Sequence, residues 1–186
     1  MTDVSITVLP AAPLHALEIW SNAAGVAERF KRTFSFALPA IGRSGRSETL
    51  CLMRYEPTVW LVEGDASALP SILANDGALT AIGGGIVRVR LSGKGWRTLL
   101  MEGGVFDVEN SAFTPGCSAA TIIDHVAVRL HVVDETTCDA YVPASFSAGL
   151  VHFWEVAAGS LDWLVHSKRY VNFLVKLKLP LSAQIP

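Results

Sequence analysis

Groups able to do chemistry are few in this chain, and their spacing excludes more than it offers. Five histidines (His15, His125, His131, His152 and His166) are scattered along it. A zinc site needs three or four ligands brought together, and no cysteine or carboxylate arrangement completes such a set around any histidine. His125 and His131 have the parity to share a strand face, and both read as strand-surface residues. Cys51, Cys117 and Cys138 lack the C-x-x-C spacing of a metal or redox pair, and three cysteines cannot all pair within one chain. They read as reduced, mostly buried thiols. Cys117 and Ser145 follow Gly116 and Ala144, without the elbow motif of a nucleophile, and Ser145 is placed to cap a helix. Gly83-Gly84-Gly85 precedes a strand, whereas a dinucleotide-binding loop follows one. Gly42 to Ser47 lacks the lysine and spacing of a phosphate-binding loop. One carboxylate stands out. Asp107 lies between Phe106 and Val108, just beyond Gly103-Gly104, where a chain reversal would present it to a pocket; the same setting suits a turn aspartate.

The elements that must position these groups follow from hydrophobic periodicity. Residues 86–157 read as the main sheet and covering helices of one α+β domain. In Ile86 to Leu91, Val87, Val89 and Leu91 fall on one face and Arg88 and Arg90 on the other. Trp96, Leu99 and Leu100 share one face of a short helix, and strands are predicted at Ala119–Ile123, Val126–Val133 and Cys138–Val142. A helix from Ser145 to Ala157 carries Leu150, Val151 and Trp154 along one stripe, which continues to Ala158. Upstream, Leu17–Trp20 reads as a strand, Ser21-Asn22 as the N-cap of a helix bearing Val26 and Phe30, and Thr33–Leu38 as a second strand. Thr49–Tyr55 and Val59–Val62 form a hairpin around Pro57, and Asp65–Asn75 a helix with Pro70 in its first turn. Gly42 to Ser47 is a polar loop between these parts, and no internal repeat shows at solenoid periods.

Composition narrows the class. Apolar residues make up 51% and charged residues 17% of 186, against about a quarter charged in ordinary domains. Such a chain either enters a membrane or buries surface against partners. It has no uncharged apolar run of about 18 residues, and Asp3 without a basic start argues against a secretory signal. A partner-bound cytoplasmic subunit with no membrane role is the expectation. A net charge of −2 gives no general attraction to nucleic acid. After Gly159 the composition changes: residues 159–186 form an apolar-basic tail beyond a domain at 1–158, destined for its own domain or a partner.

Residues Arg54-Tyr55-Glu56-Pro57-Thr58-Val59-Trp60-Leu61-Val62 resemble the R-x-G-P-x-x-W-L-L hairpin of the gamma subunit of heterotetrameric sarcosine oxidase, with Glu56 in place of glycine. The resemblance continues through Arg88 to Gly93, Leu99-Leu100, Phe106-Asp107-Val108, Ala112 to Gly116, Thr121 and Val142 to Ser147, covering about residues 4–158. The gamma subunits are in turn similar to the folate-binding domain of the glycine-cleavage aminomethyltransferase and of tRNA-modifying GTPases. The resemblance implies that fold: mainly antiparallel sheet with covering helices. It maps the folate-contacting aspartate of the transferase onto Asp107. Phe106 replaces the asparagine of that motif, Ala120 its tyrosine, and Ile122 to His125 shortens the following glycine-rich segment.

What the resemblance implies is a non-catalytic assembly subunit, without catalytic residues or metal ligands, in a complex with alpha, beta and delta subunits. Such a complex oxidises sarcosine, or a related N-methyl amine, to glycine with one-carbon transfer to tetrahydrofolate. Its cofactors, FAD and FMN, NAD, tetrahydrofolate and zinc, belong to the complex, and this chain is expected to bind none. The chain would self-associate when isolated. The alternative is a stand-alone tetrahydrofolate-binding protein or aminomethyltransferase-like enzyme using Asp107.

Overall fold

A computed structural model describes residues 3–160. The chain runs β1 (Ser5–Val8), β2 (Leu14–Ile19), α1 (Ala23–Phe34), β3 (Ser44–Arg46), β4 (Leu50–Arg54), β5 (Val59–Gly64), α2 (Leu69–Leu73), β6 (Gly77–Ala81), β7 (Ile86–Ser92), α3 (Trp96–Met101), β8 (Ser118–Ile123), β9 (Val126–Asp134) and β10 (Thr137–Pro143). A further helix, α4, covers 147–160 of the described residues. The strands form two five-stranded sheets, ordered β1-β7-β10-β9-β8 and β3-β4-β5-β2-β6. Every pairing is antiparallel. This is the expected α+β class, built from two sheets where the sequence suggested one.

Alternation along the strands decides the layers. Val89 and Leu91 of β7, Val128, Leu130 and Val132 of β9, and Cys138, Ala140 and Val142 of β10 point to one side of their sheet. There they pack with Trp96, Leu99 and Leu100 of α3 and with Leu150 and Trp154 of α4. In the other sheet Leu17 and Ile19, Leu50 and Leu52, and Trp60 and Val62 meet Val26 and Phe30 of α1 and Leu69, Ile72 and Leu73 of α2. The remaining faces turn toward each other, with Leu14, Met53, Leu61 and Tyr141 as a small apolar core between them. The layers are therefore helix, sheet, sheet, helix.

The two halves share one topology. β2-α1-β3-β4-β5-α2 and β7-α3-β8-β9-β10-α4 follow the same path, and both sheets place the strands in the same order. In the first half the strand after α2, β6, lies beside β2; in the second, the matching place beside β7 is taken by β1 from the start of the chain. Sequence periodicity does not reveal this repeat because the halves share a path, not residues.

Local signals held where a cap or periodicity was explicit. Asn22 caps α1, its Oδ1 accepting from the Gly25 N–H at 3.3 Å, and Lys31 and Arg32 end the helix. The β4–β5 hairpin, the β8, β9 and β10 strands and the α4 stripe stand near their predicted bounds. The strand at Thr33–Leu38 does not exist. Thr33 and Phe34 finish α1, and Phe34 and Phe36 stack against Phe30 with ring centroids 4.8 and 5.1 Å away, so tertiary aromatic packing overrides local alternation. The helix at Asp65–Asn75 shrinks to Leu69–Leu73, because Asp65 accepts from the Ser67 N–H and holds a turn. Gly77 opens β6 instead of ending that helix. β1, β6 and β3, the last inside the polar loop, are further strands that short, half-exposed runs do not signal. Ser145 lies in a short 3₁₀ turn (Ala144–Phe146) that has no side-chain cap, ahead of α4. Helix α4 carries through the composition change at Gly159, and the tail from 161 lies outside the described residues.

Ala74 ends α2 at φ 50° and ψ −115°, a region open to glycine and strained for alanine. Ala74→Gly is expected to stabilise by about 1 kcal/mol, raising Tm by about 2–4 °C in thermal unfolding. A lowered Tm would show that no strain is stored there.

Candidate functional site

Arg88 and Arg90 alternate with the core residues of β7, so their side chains face the second sheet. Ion pairs and hydrogen bonds take them up there. Arg88 pairs with Glu63 of β5 and donates to the Pro10 carbonyl at 2.7 Å. Arg90 grips Asp139 of β10 through two 2.7 Å bonds, Nε to Oδ1 and Nη2 to Oδ2. The Tyr141 hydroxyl donates to Glu63 Oε2 at 2.7 Å. His131 Nε2 lies 2.9 Å from Ser44 Oγ, which donates in turn to the Gly116 carbonyl. This charged layer beside the apolar patch borders a half-open cavity of about 90 Å³, lined by Arg46, Cys51, Glu63, Arg90, His131, Val133, Asp139 and Tyr141.

Burial sets the protonation of the layer. Desolvation, then the Glu63 carboxylate, pushes the Cys51 thiol up to about 11, so it stays a neutral thiol and is no nucleophile at neutral pH. The same two causes hold the Tyr141 hydroxyl far above its usual range, where it remains a donor. The hydrogen bond to Asp139 holds the Arg90 charge more firmly still. Asp139, 4% exposed, thus accepts a bidentate clamp, the geometry in which a buried carboxylate is tolerated.

His131 is buried, not on a strand surface. Desolvation lowers its pKa, Arg46 and Arg90 adding to the effect and Asp139 and Glu63 opposing it. A histidine whose folded pKa is depressed binds its proton more weakly than in the unfolded chain, where the value is near 6.5. Its contribution is therefore complete above about pH 6.5 and lost as the pH falls below it. The urea midpoint is expected to drop between pH 7.5 and 5.5, and His131→Gln to flatten part of that slope. A midpoint independent of pH in wild type would contradict the burial assigned to His131. His125, by contrast, forms the two-residue turn between β8 and β9 with Asp124, at φ 65° and 45° respectively, away from His131.

Asp107 is exposed and sits in the loop between α3 and β8. Its Oδ1 accepts from the Glu109 N–H at 3.1 Å, an Asx turn. Arg97 ties this loop down: its guanidinium stacks 4.3 Å from the Trp96 ring centroid and donates to the Val108 and Phe113 carbonyls, the second at 2.7 Å. Phe106 points inward against Phe113. The tight Asp124-His125 turn lies beside the loop, with the Asp124 N–H donating to the Gly103 carbonyl at 3.0 Å. Asp107 does not line the charged cavity, which at about 90 Å³ is far below the roughly 300–1,000 Å³ of pockets that enclose drug-sized ligands such as a folate. The described residues thus supply no enclosed folate cradle at that cavity. Among them, no group of three or more His, Cys, Asp or Glu side chains could hold a metal ion, and no helix is long and apolar enough to cross a membrane.

Sequence reasoning missed the charged layer. Its signal was the alternation Arg88-Val89-Arg90 together with the out-of-phase acids Glu63 and Asp139 inside apolar strands. A charge at a strand position otherwise ready for burial points to a covered partner.

No protein-family model and no curated protein matches the chain. Solved structures do. The α+β architecture is aminomethyltransferase-like: glycine cleavage system aminomethyltransferase T from Bartonella henselae superposes with a TM-score of 0.59 at 15% identity over 81% of this chain. That match spans 45% of the transferase chain. A chain of heterotetrameric sarcosine oxidase from Corynebacterium sp. U-96, solved in complex with pyrrole 2-carboxylate, superposes with a TM-score of 0.72 at 17% identity. This match covers 84% of each chain. The fold expected from the Arg54–Val62 hairpin and the Phe106–Asp107–Val108 segment is the fold observed.

Proposed function

We propose that this chain is a gamma-like, non-catalytic assembly subunit of a flavin-dependent heterotetrameric sarcosine oxidase, or of a related N-methyl amine oxidase, working in the cytoplasm. The observation that carries the reading is the reciprocal coverage: 84% of this chain on 84% of the sarcosine oxidase chain, against 45% of the transferase. The interior of the site supports it. The acids Glu63 and Asp139 are already engaged by Arg88, Tyr141 and Arg90, and Cys51 is held as a thiol. The high apolar fraction suits a chain that buries surface against alpha, beta and delta partners, since obligate interfaces resemble a core cut in half. FAD, FMN, NAD, tetrahydrofolate and zinc would be carried by those partners.

Pull-down of the tagged full chain from its native extract is expected to bring flavoprotein subunits with it. The isolated chain is expected to self-associate; a stable monomer by light scattering at tens of micromolar, about the range of weak interfaces, counts against the reading.

The exposure of the Asp107 carboxylate favours one second reading, a tetrahydrofolate-binding protein that uses this loop. On that reading tetrahydrofolate raises Tm and Asp107→Ala removes most of the rise. On the assembly reading saturating folate leaves the Tm of the isolated chain unchanged.

A further inference from the structure

The sheet that carries α3 and α4 ends in an open edge. β1 stands outermost in the order β1-β7-β10-β9-β8 and pairs only with β7. The Leu9 N–H donates to the Arg88 carbonyl, which fixes the phase of the ladder: Ser5 and Thr7 bond to β7, while the backbone groups of Ile6 and Val8 point away from it. Those groups have no backbone partner among the described residues. Ile6 and Val8 stand opposite the core residues Leu91 and Val89, so their side chains share the helix-covered face. Val4 and Ile6 are only half-buried there and Val8 is 55% exposed, so the apolar layer runs out to this edge uncovered. Two other sheet edges are closed on each other, because the Ser44 N–H donates to the Gly116 carbonyl and the Ser118 N–H to the Gly42 carbonyl, joining β3 to β8. β6 is the remaining free edge, and Leu79 is the one bulky residue between Gly77 and Ala81 on its core side.

The repeated path says what belongs beside that edge. In the first half the chain that follows α2 becomes β6 and joins the β2 side of its sheet; in the second, the chain that follows α4 is the tail from 161, outside the described residues. The tail sequence holds one alternating run. Val171, Phe173, Val175, Leu177 and Leu179 share one parity, and Asn172, Lys176 and Lys178 the other, with Leu174 the single exception and Pro180 as the stop. We propose that residues 171–179 add to the five-stranded sheet as a sixth strand on the free edge of β1. Their apolar parity continues the row of Val4, Ile6 and Val8, and their other parity continues Ser5 and Thr7. Reach is sufficient, since residues 161–170 extend up to about 33 Å, against about 21 Å for the whole length of α4. Lys176 and Lys178 then stand on the new outermost strand, where lysines discourage pairing with a further chain. The inference concerns how this chain closes on itself and is independent of the assembly reading, which the pull-down tests separately.

The test is amide hydrogen exchange of the full chain, read residue by residue by NMR. The Ile6 and Val8 amides are expected to exchange at least about tenfold more slowly than in a Leu174→Pro, Val175→Pro double variant. Two adjacent prolines remove a ladder donor whichever parity faces β1. The Thr7 and Leu9 amides, bonded to β7, are expected to stay protected in both proteins and so report that the domain remains folded. A Lys176→Ala, Lys178→Ala double variant is expected to leave Ile6 and Val8 as protected as in wild type. Three results would overturn the proposal: Ile6 and Val8 exchanging in wild type as freely as an unpaired chain, equal protection with and without the prolines, or protection that rises with protein concentration, which would seat the strand on a second copy. The first and third are read on wild type alone and stand whether or not the proline variant folds.

Discussion

Glu63→Ala is expected to lower stability by about 3 kcal/mol, or about 6–12 °C in Tm for a chain of this size. Glu63 accepts from two sides, Arg88 through Oε1 and the Tyr141 hydroxyl through Oε2. Among the described residues its removal leaves the Arg88 guanidinium, 13% exposed, with only the Pro10 carbonyl, and Arg88 Nε already lacks a partner there. An unpaired buried charge costs more than the pair itself contributes, because desolvation is no longer offset. Glu63→Gln, which keeps an acceptor for Tyr141, should lose less than Glu63→Ala. The triple change Glu63→Leu, Arg88→Met, Tyr141→Phe should recover most of the loss, since it removes every orphan at once. Urea unfolding of the four proteins decides the point. Equal midpoints for wild type and Glu63→Ala would mean that water, and not Glu63, satisfies Arg88.

The second large effect lies in the outer core. Trp154 of α4 is fully buried against the β1-β7-β10-β9-β8 sheet, yet its indole N–H has no partner among the described residues. Trp154→Ala is expected to cost about 4 kcal/mol, combining lost apolar transfer with the cavity left behind. Trp154→Phe is expected to cost under about 1.5 kcal/mol, because the smaller ring forfeits some packing while the orphaned donor disappears. If both variants unfold at the same denaturant concentration, the ring is not the anchor that fastens α4 to the sheet.

The element pattern was largely legible because it is local. Strands β8, β9 and β10 announce themselves by alternation and end at turns such as Asp134–Thr136, where the Thr136 N–H donates to Asp134 Oδ1. The Asn22 cap and the α4 stripe are readable for the same reason. Failures occur where a distant neighbour outweighs a local preference. Phe34 and Phe36 alternate like strand residues, but Phe30 captures both rings. β1 is only four residues long and exists as a strand because β7 offers it a free edge.

The candidate site divides in the same way. The turn setting of Asp107 was readable from its neighbours, and the structure places it in such a turn, exposed beside Glu109. Nothing local says that Arg97 pins that loop through the Val108 and Phe113 carbonyls.

By itself the sequence determined the α+β class, the strand and helix positions of the second half and the apolar faces. Only the tertiary structure decided that a second sheet covers the arginine face of β7. Alternation tells which side chains share a face, but what that face meets depends on residues far away. Arg88 finds Glu63 across 25 positions of chain and Arg90 finds Asp139 across 49. No periodicity encodes such encounters, because they arise when two separately formed sheets close on each other and each buried charge must find its opposite.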